Sequence, residues 1–295
     1  MQLFTCTSCG NPVYFENIFC GNCGSSLGFD ARQMKTVAFA PGNGFRYCNN
    51  YSNGVCNWVL PAGSMDAFCI ACSLNRTIPP IHDPAVTERW KKVEVAKHRL
   101  VYGLLRLGLP VMNKTQDPGR GLAFDLLSEK YISPNEKLVT GHLNGLITLN
   151  IKEADDIERE MAKRNLQEQY RTLLGHFRHE IAHYYWDLLV AGSDNLPGFR
   201  DLFGDENLDY QQAMNRHYSQ GAPANSADAH ISAYATMHPW EDWAETWAHY
   251  MHITDTLETA YSFGLSVDPL VARGKRPERR YQQRPLSHQR FCRDI

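Results

Sequence analysis

The rhythm of apolar and polar positions changes near residue 80. Up to there, short apolar runs are broken by Gly, Asn and Cys, and no helical period appears. Thr77-Ile78-Pro79-Pro80 reads as a linker. Beyond it, Trp90, Val93, Val95, Leu100, Val101, Leu104, Leu105 and Leu107 follow helical spacing. Lys91, Lys92, Lys97 and Arg99 are interleaved with them, which predicts an amphipathic helix ending near Gly108-Leu109-Pro110. Leu122–Leu127 and Gly145–Asn150 look like strands, and the charged stretch Lys152–Glu168 is helix or loop. Arg171–Val190 predicts a helix, followed after Gly192-Ser193-Asp194-Asn195 by an acidic helical segment to about His217. Pro239 suits the first turn of a last long helix, Trp240–Tyr261. The whole is an α+β pattern.

Composition adds limits more than content. The chain has 295 residues, 43% hydrophobic and 21% charged, enough for a sizeable core. A formal net charge of −2 marks no polyanion binder. No apolar run approaches a bilayer-spanning length, and Met1–Gly10 lacks the basic and apolar regions of a signal peptide. The expectation is a cytoplasmic protein with no membrane contact, its cysteines reduced or metal-bound. From Arg273 the tail carries eight Lys/Arg against Glu278 and Asp294, and residues 271–295 are expected to be disordered.

Eight of the nine cysteines precede residue 73. Cys6-x2-Cys9 and Cys20-x2-Cys23 have the knuckle spacing that converges four sulfurs on one tetrahedral zinc, with Gly10, Gly21 and Gly24 easing the turns. Cys48, Cys56, Cys69 and Cys72 form a second quartet with one irregular knuckle; buried free thiols are the alternative. Neither quartet leaves a ligand position open, so both are read as structural zinc sites, in modules at residues 1–30 and 31–80. Those residues hold only Arg32, Lys35, Arg46 and Arg76 against Glu16, Asp30 and Asp66. Each four-thiolate zinc adds about −2, so the modules suit protein recruitment or scaffolding and not nucleic acid.

His179-Glu180-Ile181-Ala182-His183 is the strongest chemical signal. Four residues apart on a helix, His179 and His183 point at one metal, and Glu180 can reach a water on it. A catalytic zinc needs a third ligand, and Glu241 and Glu245, one helical turn apart in an aromatic helix, are the candidates. His176 lies on nearly the same face as His179 and is placed behind the metal, not on it. His249 and His252 read as satisfied or partly exposed, and His142, His217, His230 and His238 are uninformative. Gly145–Asn150 precedes the metal helix as an edge strand would, where an extended peptide could add.

H-E-x-x-H followed by a helix bearing E-x-x-x-E resembles the gluzincin plan. That resemblance implies Glu241 as zinc ligand and Glu245 as the acceptor that orients His179. Ser232-Ala233-Tyr234 before Glu241 resembles the lethal-factor type, which implies that Tyr234 faces the zinc as an oxyanion donor; a core tyrosine is the alternative. To about residue 270 the chain resembles the bacterial family described as putative zinc-binding metallopeptidases with an N-terminal zinc ribbon. The strings that carry this are Tyr14–Asn17, Val55–Trp58, Leu74–Pro79, Gly175–Glu180 and His238–Tyr250. The tail from Gly274 departs from the apolar helical region expected there.

The resulting expectation is a zincin-like domain at residues 81–270, with one catalytic and two structural zincs. It would cleave peptide or protein substrates by zinc-bound water, with Glu180 as base and then acid. An interaction module with an inert zinc, or an amidohydrolase acting on a non-peptide amide, are the rivals.

Overall fold

The computed structural model describes residues 2–40, 44–131, 138, 140–155 and 172–266. The N-terminal part is a chain of short antiparallel hairpins: β1 (Phe4–Thr5) with β2 (Pro12–Val13), β3 (Ser26–Asp30) with β4 (Lys35–Phe39), and β5 (Phe45–Tyr47) with β6 (Val59–Pro61). Both knuckles of the first cysteine quartet close alike. Gly10 and Gly24 take positive φ (74° and 71°), and their amides donate to the Cys6 and Cys20 carbonyls at 2.8 and 2.9 Å.

The main sheet opens just ahead of the expected linker and shares Thr77 with it. β7 (Asn75–Thr77) pairs in parallel with β8 (Ala123–Leu127), and the four-stranded order is β7-β8-β10-β9, with β9 at Gly141–Leu143 and β10 at Leu146–Asn150. The Arg76 guanidinium clamps Asp125 across that junction. β10 is therefore no edge strand. It pairs with β8 on one side and with β9 on the other, because the Asn144-Gly145 turn folds β9 back antiparallel onto it. Strand addition at Gly145–Asn150 is thus ruled out by pairing that local pattern cannot show.

Helix α1 (Pro84–Arg106) starts with Pro84 after an Asp83 cap that accepts from the Ala85 and Val86 amides. It joins the two halves. Phe15 meets Phe29 edge-on at 4.9 Å and the tilted ring of Tyr102 of α1 at 5.2 Å, and Phe29 lies 4.8 Å from Trp58. One continuous buried cluster runs from Phe4 through α1 to Met251. Lys97 does not lie on a solvated face. It is fully buried, and its ammonium sits 2.9 Å from the equally buried Glu94, which also accepts from the Asn75 amide and the Trp90 indole. An unpaired charge there would cost several kcal/mol, on the order of the whole margin of a domain.

The remaining helices are α2 (Leu173–Leu189), α3 (Leu196–Phe203), α4 (Tyr210–Gln220) and α5 (Pro239–Ser262). The acidic helical segment splits into α3 and α4 because Gly204, at φ 100°, ends the first. Arg171, most of Lys152–Glu168, Cys292 and the basic tail lie outside the described residues. No described helix is long and apolar enough to cross a membrane.

Candidate metal centre

Two helices carry the centre, and the sequence sets where each begins. Thr172 caps α2 by accepting from the Gly175 amide at 2.9 Å. His238 caps α5 through Nδ1, which accepts from the Trp240 amide at 3.1 Å, while its Nε2 donates to the Leu208 carbonyl at 3.0 Å. The caps fix the registers, and buried contacts fix the helices to each other. The Trp243 indole donates to the Ala182 carbonyl at 2.9 Å, Tyr185 stacks on Trp247, and the buried Arg178 pairs with Asp255 and His252. Removing the buried Arg178 would break its pairing with Asp255 and His252 and loosen the frame that registers the two metal-facing surfaces.

Within that frame His179, His183 and Glu241 bring one ligand atom each to within 4.8 Å of one another. Glu241 Oε2 lies 3.0 Å from His179 Nε2 and 3.6 Å from His183 Nε2. These approaches are not hydrogen bonds: Oε2 is buried and has no hydrogen-bond partner among the described residues. His179 Nδ1 donates to Glu245 Oε1 at 2.8 Å, so its Nε2 carries the lone pair, aimed at Glu241. Two imidazole lone pairs and an unpartnered carboxylate oxygen facing one point are a donor set for a dication, and the softness and number fit zinc. Burial works against ionisation of Glu241, yet the adjacent His183 and His179 side chains hold its carboxyl well below the usual carboxylate range.

Glu180 is buried beside the two histidines, and its Oε1 meets His176 Nε2 at 3.2 Å. Tyr234 sits in a short turn (Tyr234–Thr236), its ring 6.0 Å from that of His179. Burial and the Glu241 carboxylate push its hydroxyl far above the ordinary phenol range. His249 donates from Nδ1 to the Glu245 carbonyl, and His252 faces Arg178. His142 Nε2 accepts from the Gly145 amide at 2.9 Å, and its ring stacks 6.3 Å from His183. Burial holds its basicity down, at about 4.

Sequence reasoning missed two members. Tyr210 of α4 donates to Glu241 Oε1 at 2.8 Å and contacts the Tyr234 hydroxyl. Glu153, in the turn Ile151–Ala154, lies 2.5 Å from His176 Nδ1. Neither residue carries a spacing signal, since each reaches its partner across a tertiary fold.

The cysteine quartets also converge. Sγ atoms of Cys6 and Cys23 are 3.8 Å apart, those of Cys9 and Cys20 3.6 Å, and those of Cys56 and Cys69 3.7 Å. A tetrahedron with Zn–S near 2.3 Å has edges of about 3.8 Å, whereas a disulfide would bring sulfurs to about 2 Å. Cys72 Sγ also lies 3.6 Å from His98 Nε2, whose Nδ1 donates to the Glu94 carbonyl at 2.7 Å.

Residues 86–292 match the family described as "Putative zinc-binding metallo-peptidase", and residues 3–83 match a zinc-ribbon domain that spans both quartets. The first match runs into the basic tail, beyond the point near residue 270 where resemblance was expected to stop. An uncharacterized protein of Mycobacterium tuberculosis (strain H37Rv) is 45% identical over 278 residues, 94% of this chain and 80% of the relative. An uncharacterized protein of Mycobacterium bovis is similar to the same extent. No solved structure matches.

Proposed function

The chain belongs to the putative zinc-binding metallo-peptidase family, and from that premise we propose that it is a peptidase of gluzincin type carrying three zincs. His179, His183 and Glu241 hold the catalytic ion, and the two cysteine quartets hold the structural ones. The observation that supports this most is Glu241 Oε2, buried, without a hydrogen bond, and facing two imidazole nitrogens. When bound, zinc supplies Lewis acidity, lowering the pKa of water and polarising a carbonyl.

The chain's own residues do the rest. Glu180 removes the proton from the attacking water and returns it to the leaving amine. Glu245 fixes the His179 tautomer by accepting from Nδ1. Tyr210 holds Glu241 by its other oxygen. Tyr234, whose hydroxyl is pushed above the ordinary phenol range by burial and the Glu241 carboxylate, stabilises the oxyanion that forms on the substrate carbonyl. Peptide or protein is the substrate class.

The test is cleavage profiling of a denatured proteome with the zinc-loaded chain and its Glu180→Gln variant. Cleavage by the first and none by the second, at equal zinc content, is the expected result. Equal turnover by both would overturn the assignment.

A further inference from the structure

Behind Glu180 lies a pair of groups that the chemistry above leaves unused. His176 is buried, and both its ring nitrogens face carboxylates: Nδ1 is 2.5 Å from Glu153 Oε2 and Nε2 is 3.2 Å from Glu180 Oε1. Glu153 comes from the turn Ile151–Ala154, which continues directly from β10 and is capped by Asn150 through the Lys152 amide. Its second oxygen accepts from the Thr140 hydroxyl at 3.2 Å. The carboxylate is thus placed by the sheet and reaches α2 from outside.

An imidazole can donate from both nitrogens only as the cation. Burial disfavours that cation, but Glu153 and Glu180 more than offset it and push His176 up to about 9. One Glu180 oxygen is therefore anchored, and the other is left for a water.

We propose that His176, held by Glu153, is the positioning residue for Glu180, fixing Oε1 so that Oε2 meets the attacking water. This rests on Glu180 being the base. The charged groups facing His176 are Glu153, from the turn after β10, and Glu180, from its own helix. As pH rises through about 9 the imidazolium loses its proton. Nε2 then stops donating and Glu180 is released, so the positioning role gives turnover an alkaline limb.

The experiment uses the zinc-loaded full chain with denatured casein as the probe, and in parallel follows the His176 ring nitrogens by NMR through a pH titration. Glu153→Gln should keep the zinc content and shift the His176 titration to lower pH, by about one unit or more. The alkaline limb of kcat should move with it. His176→Ala should keep zinc and lower kcat about 10–100-fold with little change in KM. His176→Gln, which can donate but not ionise, should recover part of that loss and lack the alkaline limb. Identical His176 titration in wild type and Glu153→Gln would overturn the proposal, as would wild-type kcat and pH profile in His176→Ala. Full turnover by Glu180→Gln would instead remove the base itself, and the positioning role with it.

Discussion

Cys9 and Cys23 of the first quartet are exposed, whereas all four cysteines of the second are buried. The sulfur geometry is alike in both, so the difference lies in what surrounds it. The first quartet is closed by local turns, and beyond the quartet's own sulfurs its outer thiols meet Asn22 and Ser25. The second is closed by distant chain: Cys72 contacts His98 of α1 and leads through the turn Cys72–Leu74 into β7 of the main sheet. Trp58, fully buried, lies 5.3 Å from the same His98 ring. One quartet thus finishes a peripheral module, and the other is a corner of the core that supports the candidate metal centre. Two sites of the same chemistry differ in consequence because of what packs on them.

The sharpest way to break this comparison is Cys72→Ser. A structural zinc in small domains contributes roughly 10–16 kcal/mol, more than the roughly 5–15 kcal/mol by which a whole domain is stable. Because Cys72 leads into the main sheet, its loss should unfold the half that carries the candidate metal centre as well. The expected outcome is loss of near-UV dichroism and of all exchangeable zinc at the centre on α2 and α5. A variant that kept zinc at the centre on α2 and α5 would show the second quartet to be as peripheral as the first.

Next in size is Trp58→Ala. Truncating a fully buried Trp costs about 3–5 kcal/mol, and here the cavity would open between the second quartet, Phe29 and α1. Thermal melting should show one cooperative transition at lower temperature. Two transitions would mean that the halves unfold separately, against the single buried cluster.

Much of this was legible in the sequence, for reasons that stop at a definite point. The helices at residues 84–106, 173–189 and 239–262 showed because each buries one periodic face, and caps such as Asp83 and His238 are local. That His179 and His183 share a face follows from helical geometry alone. What stayed hidden depends on pairing between distant residues. The interior position of β10 needs β9 to fold over it, and Lys97 looks like a surface cation until Glu94 and Asn75 are packed around it. Tyr210 and Glu153 reach their partners across 31 and 23 residues, with no spacing to mark them.

A smaller effect is expected at the first quartet. Cys9→Ser should remove one zinc but leave the other two, because Cys9 is exposed and the module's anchorage to α1 runs through Phe4, Phe15 and Tyr102. Zinc content should fall by about one third while hydrolysis, if measured on the same protein, stays within about twofold of wild type. Collapse of the whole chain would erase the contrast between the quartets.

The smallest effect tests how the first module is held. Arg99 of α1 reaches Glu16 at 2.6 Å, an ion pair that bridges this module to the helix, with side chains 42% and 39% exposed. Exposed pairs contribute about 0.2–1 kcal/mol because water screens the attraction and two long side chains lose freedom. The aromatic contacts beside it are dry, and each ring pair adds about 0.5–1.5 kcal/mol beyond its buried area. Packing should therefore dominate. Glu16→Ala should lower the melting temperature by no more than a few degrees, with the difference shrinking further in molar salt, where the Debye length is about 3 Å. Phe15→Ala, measured alongside, should cost several times as much and show no salt dependence. If Glu16→Ala instead matched Phe15→Ala and the gap closed with salt, the module would be docked by charge, and its independence from the core would be greater than the aromatic cluster implies.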